Sequence, residues 1–286
     1  MTANRNEGAA QAAPFFNPEA AFETCVSGLR EFMDATFGPR EHHVLLGLSG
    51  GIDSALVAVI AVAAFGPERV HAVTMPGPYT SEATRADAED LADNLGIWLD
   101  EIDIEEAFNA MMDAVEDGAN VDLEDTIAAQ NIQARLRMVS LMALSNLKGW
   151  TVLNTGNLSE ACMGYCTLYG DTVGAYGPIG GLLKTQVYAV ANWLNERAAA
   201  EGRELIPEGI ITRPPSAELA DGQTDEDSLG ITYAELDDIL AHYLGGVSPE
   251  EIVDAGIASA SQVERVMPRM RANAFKAAWL PPHPQV

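Results

Sequence analysis

Lysine is nearly missing from this 286-residue chain, occurring only at Lys148, Lys184 and Lys276. Lys and Arg together number 16 against 42 Asp and Glu, a formal net charge of −26. Such a balance repels phosphate backbones and anionic headgroups, which excludes general binding to nucleic acid or to an anionic membrane. It also suits a salt-adapted surface, an expectation that a stability series in salt checks. Where lysines are so few, each contributes little to solubility and is expected to have a local task. Cysteine is equally sparse: Cys25, Cys162 and Cys166 are odd in number, which excludes a disulfide scaffold and suits a reducing compartment. Met1 to Pro14 lacks a basic start followed by an apolar core, so no secretory signal is read. The longest apolar run, Ala55 to Phe65, is too short to span a bilayer. A cytoplasmic location without a membrane partner is expected.

What is present is a chain long enough for a substantial core, with 48% hydrophobic residues. Its organising stretch runs from Val44 to Phe65. Val44 to Leu48 reads as a short buried strand, Ser49-Gly50-Gly51 as a turn, and Ala55 to Phe65 as a buried helix. Strand, small-residue turn and helix line up free backbone N–H groups at a positive helix end. Gly50 and Gly51 let the backbone approach an anion, and the Ser49 and Ser54 hydroxyls can donate to it. Asp53 is the odd residue, since a carboxylate beside a phosphate cradle is repulsive unless a cation such as Mg²⁺ lies between them. The stretch therefore reads as a magnesium-assisted phosphate or pyrophosphate site, against the plainer reading of a turn with no ligand. It is not a Walker A loop, because no lysine follows the second glycine.

Residues 1–16 read as a disordered tail, and residues 17–286 as one domain. Asn17-Pro18 caps a helix from Ala20 to Phe37. Strands at Val70–Met75, Ile97–Ile102 and Thr151–Leu153 alternate with helices at Glu82–Leu95, Ile104–Val115 and Asp122–Leu147. This alternation predicts an α/β fold with a three-layer, doubly wound parallel sheet, Rossmann-like, followed by C-terminal helices. Ligands bind such sheets at the carboxyl ends of the strands. Asn131 and Arg135 share one face of the long helix, while Arg137 points elsewhere. Cys162 and Cys166 are spaced to share a helix face as reduced core thiols. Gly164 to Gly181 reads as a long ligand-wall loop, Lys184 opens the next helix, and Ile211 to Gly230 reads as another ordered or lid-like loop. Helices are expected at Tyr233–Leu244, Pro249–Ala255 and Ser259–Lys276, and Pro281 to Val286 as a mobile end.

The Ser-Gly-Gly-x-Asp-Ser loop resembles that of the ATP pyrophosphatases. The blocks Asn131–Arg137, Asn154–Glu160, Thr167–Asp171, Lys184–Tyr188, Pro214–Leu219 and Asp225–Gly230 resemble, in order and spacing, those of the NAD synthetase family. The resemblance spans about Pro18 to Lys276 and implies the adenine-nucleotide α-hydrolase-like fold. It implies ATP-dependent amidation of deamido-NAD by ammonia through an adenylated intermediate. By the same resemblance, Gly47, Leu48, Ser49, Gly50, Gly51, Ile52, Asp53 and Ser54, with Thr155, Lys184 and Ser216, would hold ATP. Asp53 and Glu160 would hold Mg²⁺, Asp53 and Lys184 would be the catalytic pair, and Asn131, Arg135, Glu160 and Lys276 would touch deamido-NAD. A homodimer is implied as well. Leu168 and Ala175 depart from the Lys and Asp common in the ammonia-dependent branch, and the chain looks closer to the synthetase part of glutamine-dependent enzymes. With about forty residues before the first strand, no amidase is expected, and ammonia would arrive free or from a separate protein. The readings kept beside this one are another amidating pyrophosphatase, such as a GMP-synthetase-like enzyme, and a non-catalytic nucleotide-binding homologue.

Overall fold

The computed structural model describes residues 16–286, so the expected disordered tail lies, but for Phe16, outside the described residues. Helix α1 (Pro18–Phe37) begins where the Asn17 side chain accepts from the Glu19 and Ala20 N–H groups. Then come β1 (Val44–Gly47), α2 (Ile52–Phe65), β2 (Val70–Thr74), α3 (Glu82–Leu95) and β3 (Trp98–Glu101). The chain returns through α4 (Glu105–Ala119) and α5 (Ile127–Lys148) to β4 (Thr151–Val152). All pairings are parallel, in the order β3-β2-β1-β4, with Leu46 opposite Ala72 and Val44 opposite Thr151. Beyond β4, Leu153 bridges Tyr176 and widens that edge.

Alternation along β1 assigns its side chains to two cores. Val44, Leu46 and Leu48 pack with α1, α2 and α7 (Lys184–Ala200) on one face, and Leu45 with Met138 and Leu141 of α5 on the other. With helices on both faces the strand has no polar side, which is why it reads as a continuous apolar run. Helix α2 is buried from Ile52 through Ala61 apart from Asp53, because sheet and helices surround it. Emptying one such position, for example Leu56→Ala, would cost about 2–5 kcal/mol. A third core gathers Met163 of α6 (Leu158–Met163), Leu229 of α9 (Asp225–Leu229), Leu236 and Leu240 of α10 (Tyr233–Leu244), Ile252 of α11 (Pro249–Asp254), and Val266 of α12 (Ala260–Asn273). The short α8 (Glu208–Thr212) packs near α3. No helix among the described residues is long and apolar enough to cross a membrane.

Four local expectations are corrected. The long helix starts at Ile127, not Asp122, because Thr126 accepts from the Ala129 N–H and caps it. Helix α6 stops at Met163, so Cys162 and Cys166 share no helix face. The last helix ends at Asn273, and a 3-10 turn over Ala274–Trp279 carries Lys276. Pro281 to Val286 is a packed strap: Gly177 N–H donates to the Pro282 carbonyl, and Pro284 lies against Gly28 and Gly181.

The strand order reverses at β1, whose neighbours β2 and β4 leave in opposite directions. A crevice therefore opens outside the carboxyl ends of β1 and β4. The turn after Gly47 and the turn after Leu153 both emerge there.

Candidate active site

The first wall is the turn between β1 and α2. Gly51 sits at the N-cap of α2 and has no side chain to satisfy the first-turn N–H groups, which leaves them available to an anion. The two serines knit the turn: Ser54 Oγ donates to the Gly51 carbonyl at 3.0 Å and lies 3.1 Å from Ser49 Oγ. Gly50, with φ of +80°, passes so close to α3 that a Cβ there would stand 2.1 Å from the Thr84 carbonyl oxygen.

The second wall is the turn after β4. Asn157 caps α6, accepting from Glu160 N–H at 3.0 Å, and its amide donates to Asp53 Oδ1 at 3.0 Å. The third wall is the start of α7. Lys184 is 2% exposed; its ammonium donates to Asp53 Oδ2 and lies 3.5 Å from Glu160 Oε1 and 5.2 Å from the Tyr233 ring centroid. Burial pushes the Glu160 carboxyl up to about 8, and the Asp53 charge adds to it while Lys184 opposes. Burial alone would lower the Lys184 ammonium, but Asp53 and then Glu160 hold it above its ordinary value. Asp225 adds a third carboxyl, also raised by burial, whose Oδ2 accepts from the Tyr233 hydroxyl while Oδ1 has no partner. Three carboxyl groups thus face one ammonium, an imbalance that a further cation or protons must offset.

These elements enclose a cavity of about 320 Å³. Gly47 through Ser54, Thr155, Glu160, Lys184 and Ser216 all line it, so the structure brings the expected ATP residues together. Asn131, Arg135 and Lys276 do not line it. They fasten the segment that forms its wall: Asn131 Oδ1 accepts from Thr167 Oγ1 at 2.7 Å, and Arg135 Nε donates to the Leu168 carbonyl at 3.2 Å. Lys276 Nζ donates to the Gly164 and Cys166 carbonyls, both at 2.7 Å.

Sequence reasoning missed Arg137, which lines the cavity and donates from Nε to the Met75 carbonyl at 3.0 Å; burial lowers its guanidinium to about 10. The signal was present: Gln133, Ala134, Arg137, Met138 and Leu141 recur at helical spacing on the inward face of α5. Also missed were Asp225 and the latch over the Ser49–Ser54 turn, where Arg213 pairs with Asp87 and Thr84 Oγ1 donates to Glu218 at 2.8 Å.

The NAD synthase family model matches residues 25–279. The glutamine-dependent NAD(+) synthetase of Thermotoga maritima is 41% identical over 96% of this chain and 47% of that protein, so the chain spans about half the length of such relatives. The NH(3)-dependent NAD(+) synthetase of Methanosarcina mazei is 41% identical over 85% of this chain and 90% of that one. Among solved structures, NMN synthetase from Francisella tularensis superposes with a TM-score of 0.75 at 30% identity, covering 92% of this chain and 97% of that one. With the family model matching residues 25–279 and a relative 41% identical over 90% of its own length, the chain belongs to the NAD synthase family.

Proposed function

We propose that this chain amidates deamido-NAD to NAD at the expense of ATP, releasing AMP and pyrophosphate, with ammonia as nitrogen donor. The observation that carries the reading is the buried Lys184 ammonium held between Asp53 of the Ser49–Ser54 turn and Glu160 of α6, at the wall of the cavity. In the first step a carboxylate oxygen of the nicotinate group attacks the α-phosphorus of ATP, and the bond to pyrophosphate breaks. The first-turn N–H groups of α2 and the two serine hydroxyls receive the departing pyrophosphate, and Lys184 offsets the charge that gathers on it. In the second step the ammonia nitrogen attacks the acyl carbon, AMP leaves with the shared oxygen, and one proton is lost. Placement and charge neutralisation suffice, and no covalent enzyme nucleophile is required.

Magnesium fits the donors present, because Asp53 and Glu160 offer hard carboxyl oxygens and, together with Asp225, outnumber the one ammonium of Lys184. Among the described residues no three His, Cys, Asp or Glu side chains are grouped to hold a cation alone. Phosphate oxygens and water would complete the shell, as magnesium prefers. When bound, magnesium would neutralise phosphate charge during transfer. Asn131, Arg135, Glu160 and Lys276 are assigned to the deamido-NAD side, the first, second and fourth through the segment they fasten. The chain from Asn17 to Val286 is read as one cytoplasmic catalytic unit. Met111 and Val115 on α4, with Ile127, Val139 and Leu147 on α5, are exposed and support a second copy as partner.

The deciding assay follows pyrophosphate and NAD with ATP, magnesium and deamido-NAD, in the presence of ammonium, of glutamine, or of neither. NAD formed with ammonium alone is expected. NAD formed with glutamine alone would overturn the donor assignment, and none in any tube would overturn the reaction. A mononucleotide acceptor is the second reading, favoured by the similarity to an NMN synthetase. Nicotinate mononucleotide in the same assay separates the two.

A further inference from the structure

Asp237 lies on α10, in the C-terminal helical layer, and is not among the residues lining the cavity. Its buried carboxylate, 3% exposed, is nevertheless directed at the two chain segments that carry the charged pair of the site. Oδ1 accepts from Ser159 Oγ at 2.5 Å, and Oδ2 accepts from Thr185 N at 2.7 Å and Thr185 Oγ1 at 2.8 Å. Ser159 Oγ in turn accepts from the backbone N–H of Lys184 at 2.9 Å. Ser159 immediately precedes Glu160 on α6, and Thr185 immediately follows Lys184 on α7. One carboxylate therefore ties the backbone that carries Glu160 to the backbone that carries Lys184. A negative group at the start of the 17-residue α7 is also favoured by the dipole of that helix.

A serine hydroxyl, a threonine hydroxyl and the Thr185 N–H converge on one buried anion contributed from a distant part of the chain, and the Lys184 N–H joins them through Ser159. Apolar packing of α10 against α6 and α7 could hold the three helices together without it. What packing does not fix is the separation of two helix starts to a few tenths of an ångström, which hydrogen bonds of 2.5–2.9 Å do. We propose that Asp237 is a positioning residue for the phosphate site, acting through Ser159 and Thr185 to fix the spacing of Glu160 and Lys184. The proposal rests on the nucleotide reading of the cavity. Asp237 touches no reacting atom; its effect reaches the nucleotide only through Lys184 and Glu160.

The test is a coupling measurement on the full chain. ATP with magnesium chloride is titrated calorimetrically into the wild type, Asp237→Asn, Lys184→Gln and the double variant. With Lys184 present, Asp237→Asn is expected to lower affinity about 10- to 100-fold, the range for partners that orient ligating groups. In the Lys184→Gln background the same change is expected to cost at least about threefold less than in the wild type, because one of the two positioned groups is gone. An equal loss in both backgrounds would mean a merely structural role and overturn the proposal. So would wild-type affinity in Asp237→Asn. Ser159→Ala, run through the same cycle, covers the case in which Asp237→Asn does not fold. It removes one link and leaves Thr185 in place, so a smaller loss that shrinks with Lys184→Gln is expected, and a loss of unchanged size there overturns the proposal. A wild type that binds no ATP overturns the cavity reading together with this proposal, whereas ATP binding unchanged by Asp237→Asn overturns this proposal alone.

Discussion

Gly50→Ala tests the proposed phosphate turn most directly, because two separable costs can be worked out for it. The residue has a φ of +80°, and an added Cβ would stand 2.1 Å from the Thr84 carbonyl oxygen, 2.8 Å from its Cγ2 and 2.9 Å from its carbonyl carbon. The positive-φ backbone costs an alanine about 1–3 kcal/mol. The collision is with helix backbone, which cannot rotate away, and forcing it apart costs about 1–3 kcal/mol more. The sum is about 2–6 kcal/mol. Gly38→Ala is the control, since Gly38 has a φ of +79° but nothing within 4 Å of the added carbon. Its cost is the backbone part alone. At about 2–4 °C per kcal/mol, Gly38→Ala should lower the melting temperature by about 2–12 °C and Gly50→Ala by about 4–24 °C. The same collision moves the turn away from α3 and misaligns its N–H groups, so Gly50→Ala should also lose ATP binding at temperatures where it is folded. Gly38→Ala should keep it. Thermal denaturation and ATP titration of both variants decide. Equal melting losses, or wild-type ATP affinity in folded Gly50→Ala, would refute the claim that contact with Thr84 sets the turn.

Asp53→Asn is nearly isosteric and keeps an acceptor for Asn157, so the fold should persist while turnover falls about 100-fold, read in the pyrophosphate assay. Near-normal turnover would remove Asp53 from the mechanism. Glu160 holds its proton in the folded, metal-free protein above the usual carboxylate range, whereas the unfolded chain releases it near pH 4.5. The folded state then binds more protons between about pH 5 and 8, so stability should fall as pH rises through that window. Glu160→Gln should flatten the slope in denaturant melts with chelator present. Burial raises the thiols of Cys25, Cys162 and Cys166 to about 12, 11 and 12, so a thiol reagent at pH 7.5 should label the native protein slowly and all three sites after denaturation. Removing Pro281–Val286 should uncover the groove at Gly28, Gly177 and Gly181 and lower the melting temperature by several degrees; an unchanged melt would show that the strap adds no stability.

What was legible in the sequence had its position and its chemistry in one short stretch. Val44 to Phe65 announces a buried strand, a turn without bulky side chains and a buried helix, and the structure returns each element in place. Strand and helix alternation gave the parallel sheet, because a parallel connection needs a crossover. What was not legible is placed by contacts across long separations. Asp53 meets Asn157 across 104 positions and Lys184 across 131, and no periodicity records such a meeting. Asp237 carries no local mark at all, being one acid on an amphipathic helix in a chain full of acids. Arg137 was legible in principle, since its inward face repeats at helical spacing, but an arginine reads as solvated unless its neighbours are counted with it.

The scarcity of lysine gave information that no motif did. In a chain of ordinary charge, Lys184 would be one cation among many, and its position at the start of a helix, where a positive group is disfavoured, would look like noise. At a net charge of −26 with three lysines, a lysine at a helix start needs a compensating partner. The structure supplies three: the Asp53 carboxylate, the Glu160 carboxyl oxygen and the face of the Tyr233 ring. The other two lysines have local partners as well, Lys276 at two backbone carbonyls and Lys148 over the Trp150 ring near the end of α5, where the dipole favours it. Only Lys184 stands against its helix dipole, so its burial there must be held by the surrounding carboxylates. Neutralising those carboxylates should release it, which makes Lys184 the residue whose position reports most directly on the charge state of the site.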